Sequence, residues 1–396
     1  MLPITVWGLA LGTALLVTGN ILLVSVTALI GQQLAPSSTY VTLPVALQFL
    51  GVMAATLPAA HLMRWLGRKV GFLLGNVIGV GGAVLAYLAL GAEHFPLFCA
   101  GTFLLGVSIG VSQQYRFAAI EACVPAARPR AISLVMAGGV VAAVLGPYLA
   151  VWSGQFAPER EFLGAFAVLI GLYLFTLVLI SCLPLPKPGS AEQQGPARSY
   201  RALLRQPVLF TAIVAGSIGY GVMVLVMTAT PIAMHGHHHS FGDTASVIQW
   251  HVLGMFLPSF FTGRLIGRFG ETRIIQCGCV LLALCCLVAQ WGSAYWYYWF
   301  SLVTLGMGWN FTFIGATSLL TLSYHPAEKA KVQGINDFLV FGCAAFGSLL
   351  AGQLQSWLGW EALNLWMLPA IGVAMLLVWY ANPRSQPEVE APPVSG

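Results

Sequence analysis

Long apolar runs separated by short polar punctuation dominate the chain, each about as long as the 20 or so residues a helix needs to cross the hydrocarbon core of a bilayer. Read in order, they predict helical spans at 5–30, 41–63, 70–91, 96–120, 131–153, 162–183, 208–231, 244–267, 272–291, 295–323, 332–356 and 360–381. The runs are continuous rather than alternating, which excludes a transmembrane barrel, whose strands switch character at every residue. The expected fold class is therefore an all-α polytopic membrane protein with about twelve transmembrane helices. The first run, Val6 to Ile30, follows no basic segment and is too long for the core of a signal peptide, so it reads as a retained span.

Composition removes the competing classes. Apolar residues make up 58% of the 396 and charged residues only 7%, against about a quarter charged in a soluble domain. The 44 glycines and 22 prolines would suggest loops in water. In lipid, small residues let helices approach closely, and neighbours re-satisfy the backbone groups that proline frees. Most of the eight cysteines, such as Cys279, Cys285 and Cys286, fall in apolar runs, which suits packing rather than a disulfide framework or a zinc site.

Charge sets the expected orientation, because short loops rich in Lys and Arg stay cytoplasmic. Alternate loops carry Arg64, Arg68 and Lys69, then Arg128 and Arg130, then Arg264, Arg268 and Arg273, then Lys329 and Lys331, with Arg384 in the tail. The opposite loops carry only Arg160. Both termini are expected in the cytoplasm of a bacterial cell, with the chain in the inner membrane, and the net charge of +5 reflects this loop bias rather than a nucleic-acid surface. The long polar connection, Pro184 to Gln206 with Lys187, Arg198, Arg201 and Arg205, reads as a linker. It divides the chain into bundles at 1–183 and 207–381, followed by a tail at 382–396.

The two halves repeat one another. A shift of 203 residues sets Leu50-Gly51 on Leu253-Gly254, Leu62 on Leu265 and Gly67 on Gly270. A shift of 201 sets Pro125, Arg128 and Arg130 on Pro326, Lys329 and Lys331, and Gly146 on Gly347. With its duplicated halves and basic loop after the second span, the chain resembles the major facilitator superfamily of secondary transporters over essentially its whole length. That family's loop signature, G-x-L-a-D-R-x-G-R-R, is matched by Gly263, Leu265, Arg268, Gly270 and Arg273 in the second copy and by Leu62, Gly67, Arg68 and Lys69 in the first. Neither copy has the acidic residue, since Arg64 and Gly267 take its place.

The resemblance implies two pseudo-symmetric six-helix bundles rocking around a midplane site, lined by the first, fourth, seventh and tenth spans, with these loops as conformational gates. The runs Tyr115-Arg116-Phe117-Ala118-Ala119, 130–139, 247–263 and 333–338 are in addition similar to a proteobacterial branch that includes riboflavin-uptake carriers.

Ionisable side chains within lipid are costly unless they face a cavity or a partner. Arg116 in the fourth span, beside Gln113 and Tyr115, and Asp337 in the eleventh, beside Asn336, are candidates for substrate handling or proton coupling. A gate or helix-end pair is the structural alternative. Asn20, Gln113, Thr228, Trp309 and Asn310 offer hydrogen bonds from spans expected to line the cavity, although a mid-membrane Asn can equally staple two helices. His251 lies opposite Gln48 under the repeat and is either a protonatable group or a neutral bridge between helices. Trp250 and Tyr220 are candidates for stacking on a planar ligand, whereas the aromatic run from Trp291 to Trp299 reads as an interfacial belt.

His235 and His237 to His239 carry metal-ligand atoms but define no site by themselves, and Asp243 is expected to cap the eighth span. No metal or cofactor is expected. The partners expected are a small-molecule substrate, a proton and lipid, with the chain acting as a monomer and binding no nucleic acid. Gly146-Pro147 lacks the small-residue continuation of antiporter motifs, which favours import over proton-coupled drug or metabolite efflux. The sequence has no nucleophile–base pair for an integral-membrane enzyme and no G-x-x-x-x-G-K-[ST] loop for ATP drive.

Overall fold

The structure, a computed structural model, describes residues 2–124, 128–156, 162–185, 198–325 and 328–380. Pro125, Arg160, Lys187, Pro326 and the tail from 382 lie outside them.

The first half comprises α1 (Ile4–Leu34), α2 (Leu43–Leu66), α3 (Arg68–Gly91), α4 (Phe95–Ser112), α5 (Tyr115–Glu121), α6 (Arg128–Ser153) and α7 (Leu163–Cys182). A short α8 (Tyr200–Leu204) leads into α9 (Pro207–Gly236), α10 (Phe241–Phe256), α11 (Ser259–Phe269), α12 (Glu271–Val288), α13 (Tyr295–Thr321), α14 (Lys329–Leu365) and α15 (Leu368–Tyr380). Helix stands at every expected span. Nine stretches among the described residues are long and apolar enough to cross a bilayer on their own, and one of these, 331–380, covers the last two expected spans.

Local chemistry explains where the helices start and break. Ser240 and Asp243 form a reciprocal capping box on α10, each side chain accepting from the other's backbone N–H at 3.1 Å, as expected of Asp243. The eleventh and twelfth spans part at Gly359, whose φ of 76° only glycine adopts freely. Two spans expected as single helices are broken. The fourth divides at Gln113-Gln114, where the Ser112 hydroxyl donates to the Ile109 carbonyl at 2.7 Å and competes with the Gln113 N–H at 3.2 Å. The eighth divides at Leu257-Pro258, where proline removes a donor from the ladder.

Each half has its own apolar core, one around Phe72, Phe98 and Phe166, the other around Leu302, Leu305 and Trp360. Between them, Ile21, Ala142 and Ala143 pack against Ile248 and Val252. The repeat is visible in the backbone. Gly67 and Gly270 enter α3 and α12 with nearly the same angles, φ 86° and ψ 158° against φ 84° and ψ 158°. Gly106 abuts the Gln48 carbonyl, and Gly306 abuts the carbonyl of His251, Gln48's counterpart, so that α2 on α4 and α10 on α13 share one close packing.

The end of the linker is tied to the second half. Glu328, 1% exposed, accepts from Arg198 Nε and Nη2, each at 2.6 Å, and from the Arg198 and His325 backbone N–H groups at 2.9 and 3.1 Å. Lys331 Nζ donates to the Arg198 carbonyl at 2.6 Å. The hydrogen bonds from Arg198 hold the Glu328 carboxyl down at about 2, against about 4.3 for a free glutamate. The stability this supplies is complete above the unfolded-state value and is lost as pH falls from there through about 2. Melting of detergent-purified protein should therefore drop across that window in the wild type and much less in Glu328→Gln. At neutral pH Arg198→Ala should cost about 1–2 kcal/mol, because the guanidinium it removes is partly exposed.

Candidate functional site

A cavity lies between the halves, with about 1560 Å³ of space that includes open solvent at its mouth. The helices around it present cavity-facing residues at helical spacing, Thr13, Val17, Asn20, Ile21 and Val24 from α1 and Tyr220, Met223 and Met227 from α9. A second lobe, sharing Arg116, Phe256, Trp309 and Phe313, runs along α13 past Thr317 to Thr321, toward the end of the bundle that carries the basic loops. The other end is closed. There the Thr42 hydroxyl donates to the Leu349 carbonyl at 3.1 Å and accepts from the Gly352 N–H at 3.3 Å, and Gln353 Nε2 donates to the Thr39 carbonyl at 3.4 Å.

The second half supplies an aromatic wall. Trp309 lies parallel to Phe313 with ring centroids 5.1 Å apart. The Tyr220 ring meets Trp309, Phe313 and Phe341 edge-on at 5.4 to 5.6 Å. The Trp309 Nε1 donor is buried without a partner among the described residues. Asp337 stands one turn before Phe341 on α14, and its charge interacts with that of Arg116 on α5. The first half supplies Asn20, Gln113, Gln114, Ser112 and Thr56. The site thus joins a slot for a flat ring to a polar wall and an opposed pair of charges.

Of the residues singled out in the sequence, the structure brings Asn20, Gln113, Arg116, Tyr220, Trp309 and Asp337 together at this cavity. Asn336 sits just behind, its Nδ2 donating to Asp337 Oδ1 at 3.1 Å. The others do not line it. Tyr115 is turned into the first-half core, where its hydroxyl accepts from Asn76 Nδ2 at 2.7 Å and its ring packs on Phe72. Thr228 is buried in α9. Trp250 lies on the outer surface, 43% exposed, against Trp299, so it is a belt residue rather than a stacking platform.

His251 is the bridge between helices, its Nδ1 2.8 Å from the Leu302 carbonyl in α13. Asn310 is a staple. Its Oδ1 accepts from Thr262 Oγ1 at 2.6 Å, and its Nδ2 donates to the Met255 carbonyl and to Ser259 Oγ, each at 2.7 Å. These bonds bind the two sides of the break in the eighth span. At the loops, Gly67 and Gly270 make the turns, Arg268 lies over the Phe269 ring at 5.3 Å, Arg273 is exposed, and Lys69 and Gly263 stand beside them. Phe313, Phe341 and the methionines of α9 escape a search for polar groups, and the helical spacing from Trp309, Asp337 and Tyr220 respectively is the signal that finds them.

Comparison with known proteins agrees over nearly the whole chain. The description "Major Facilitator Superfamily" matches residues 9–343 and again 223–395. The chain is 42% identical over 359 residues to the riboflavin transporter RfnT of Brucella anthropi, covering 90% of each. It is 29% identical to the uncharacterized MFS-type transporter YdeG of Bacillus subtilis, covering 86% of this chain and 83% of that one. Among solved structures, the human organic anion transporter MFSD10 (TETRAN) superposes with a TM-score of 0.68 over 94% of this chain and 98% of that one, at 17% identity, a likeness of fold.

The division between cavity residues and staples is measurable. Asn310→Ala leaves the Met255 carbonyl without its side-chain donor, while the Thr262 hydroxyl keeps the Pro258 carbonyl at 2.8 Å, and should lower stability by about 1–2 kcal/mol. Gln113→Ala, at an exposed residue of the cavity wall, should barely change the melting temperature but should weaken ligand binding. Thermal melting with and without ligand distinguishes the two.

Proposed function

Because the chain belongs to the Major Facilitator Superfamily and is a transporter, we propose that it imports riboflavin or a close flavin across a bacterial inner membrane by alternating access. One observation carries this reading: the aromatic wall of Tyr220, Trp309, Phe313 and Phe341 faces a polar wall across a closed-ended cavity. A flavin has the matching halves, a flat ring system and a hydroxylated chain. The 42% identity to a riboflavin transporter supports the same substrate. A carrier, rather than an integral-membrane enzyme, is what two duplicated halves around one cavity suit.

In this reading both termini are cytoplasmic, so the state described is open to the cytoplasm and closed outside at Thr42 and Gly352. Arg116 and Asp337 are the coupling pair. An aspartate in a poorly solvated cavity beside a cation holds its charge only while the cation or water serves it. Rocking that changes its surroundings therefore gives it a reason to take up or release a proton. The carrier works as a monomer, one cavity per chain.

Uptake of labelled riboflavin by a riboflavin-auxotrophic bacterium expressing this chain tests the substrate. Growth at low riboflavin with saturable uptake is the expected result, and export from loaded cells in its place would establish the efflux direction. Trp309→Ala should weaken apparent affinity about tenfold through loss of ring stacking and burial. In proteoliposomes, Asp337→Asn should abolish accumulation driven by a pH gradient while sparing exchange. Undiminished accumulation would remove Asp337 from coupling. Arg116→Ala and Arg116→Lys should both impair transport at normal membrane abundance, since a guanidinium's planar donors are not replaced by an ammonium. Reporter fusions at Ser190 and at the C-terminus should both report cytoplasm, and an external signal from either would reverse the orientation.

A further inference from the structure

The polar wall has a definite hydrogen-bonding polarity, set from behind. Asn20 lies on the cavity face of α1, and its Oδ1 accepts from Gln48 Nε2 at 2.6 Å. Gln48 belongs to α2 and is 2% exposed. Its carbonyl is pressed against Gly106 of α4, which fixes where its side chain starts. Its Oε1 is sealed with no partner among the described residues.

Two arrangements of this amide pair are conceivable, and burial decides between them. As described, one acceptor oxygen of Gln48 goes unanswered. With both amides reversed, the sealed atom would be an NH₂ group with two unanswered donors, the costlier arrangement because each buried donor without a partner carries its own desolvation penalty. With one lone pair of Oδ1 held by Gln48, the groups of Asn20 that make no hydrogen bond among the described residues are its two Nδ2 donors. The substrate group that answers them is an acceptor.

The second half offers no equivalent. Under the 203-residue shift Asn20 corresponds to Met223, which lines the cavity, and Gln48 corresponds to His251, whose Nδ1 is taken by the Leu302 carbonyl. The scaffold is symmetric, but an amide faces the cavity from α1 and a thioether from α9. A ring held against Trp309 and Phe313 therefore meets the amide of this pair of positions on the first-half wall alone.

Resting on the flavin reading, we infer that Asn20 donates a hydrogen bond to a ring carbonyl of the isoalloxazine and so fixes its orientation, with Gln48 as the residue that positions Asn20. The pyrimidine end of the flavin carries two such carbonyls, at C2 and C4, away from the sugar-alcohol chain. Asn20 is thereby a specificity-determining residue for a planar heteroaromatic imide or lactam. A flat hydrocarbon ring of the same size meets the aromatic wall but leaves the amide donors unanswered.

The test uses the full chain in lipid nanodiscs, with riboflavin binding read by quenching of its fluorescence and 2-thioriboflavin and 4-thioriboflavin read by competition against it, because a thiocarbonyl is a poor acceptor. The wild type should bind one thio analogue about fivefold or more weakly than riboflavin, and Asn20→Ala and Asn20→Asp should each weaken riboflavin about tenfold. In Asn20→Ala the discrimination between riboflavin and that analogue should disappear. Gln48→Met, of similar volume and without a donor, should weaken riboflavin severalfold at unchanged membrane abundance. Discrimination that survives in Asn20→Ala overturns the contact. A Gln48→Met variant that binds like the wild type but melts lower makes Gln48 merely structural and overturns its positioning role. A wild type that binds both thio analogues as tightly as riboflavin overturns the carbonyl assignment. A wild type that binds no riboflavin at all overturns the substrate reading, and this inference with it.

Discussion

In the hydrocarbon of a bilayer no water is available to answer a polar group, and that constraint governs everything else in this molecule. Backbone groups meet it by forming helix. Where proline or a competing hydroxyl breaks the ladder, a side chain takes over, as Asn310 does for the Met255 carbonyl. Side chains meet it by bonding back to their own helix, as Thr18, Thr27 and Thr230 do, by pairing across helices, as Asn76 does with Tyr115, or by facing the cavity. The residues that reach the cavity are thus those for which solvent or substrate is the remaining partner.

The same constraint decides what can be read from sequence. Span positions are legible because apolar length is a local property, and the repeat is legible because the duplicated glycines serve one packing. Gly67 and Gly270 need a positive φ, and Gly106 and Gly306 admit a carbonyl. Which polar residue faces the cavity is not local. Tyr115 and Arg116 are neighbours, yet one is sealed against Asn76 and the other lines the cavity, because successive helical residues differ by about 100° in direction. Trp250 and Trp309 look alike in sequence and face opposite media, a difference set by the neighbouring helices. The ring wall was half legible. Tyr220 and Trp309 stand out as polar-tipped aromatics, whereas Phe313 and Phe341 differ from the lipid-facing phenylalanines around them only in lying one turn after Trp309 and Asp337.

The eighth span marks where the two halves part company and why the binding site need not be symmetric. In the first half Gly110 of α4 packs directly on the Val52 carbonyl and the Ala55 methyl, backbone against backbone, in an unbroken stretch of α2. Met255 and Pro258 stand 203 residues on from Val52 and Ala55, and Asn310 lies as far beyond Gly306 as Gly110 lies beyond Gly106, the two glycines that share one packing. Proline at the position of Ala55 opens the helix and frees the Met255 carbonyl, and asparagine at the position of Gly110 fills the gap and donates to it. Neither change is tolerable alone. Proline facing a glycine leaves an unanswered carbonyl in lipid, and asparagine facing an intact helix has neither room nor a partner. Paired, they give the second half a broken span beside the aromatic wall, while the first half keeps a continuous one behind Asn20. Duplication supplies two equal bundles, and the need to satisfy each polar group lets them diverge only in such matched steps. One wall of the cavity thereby becomes a surface for a ring, and the other a row of hydrogen-bonding groups.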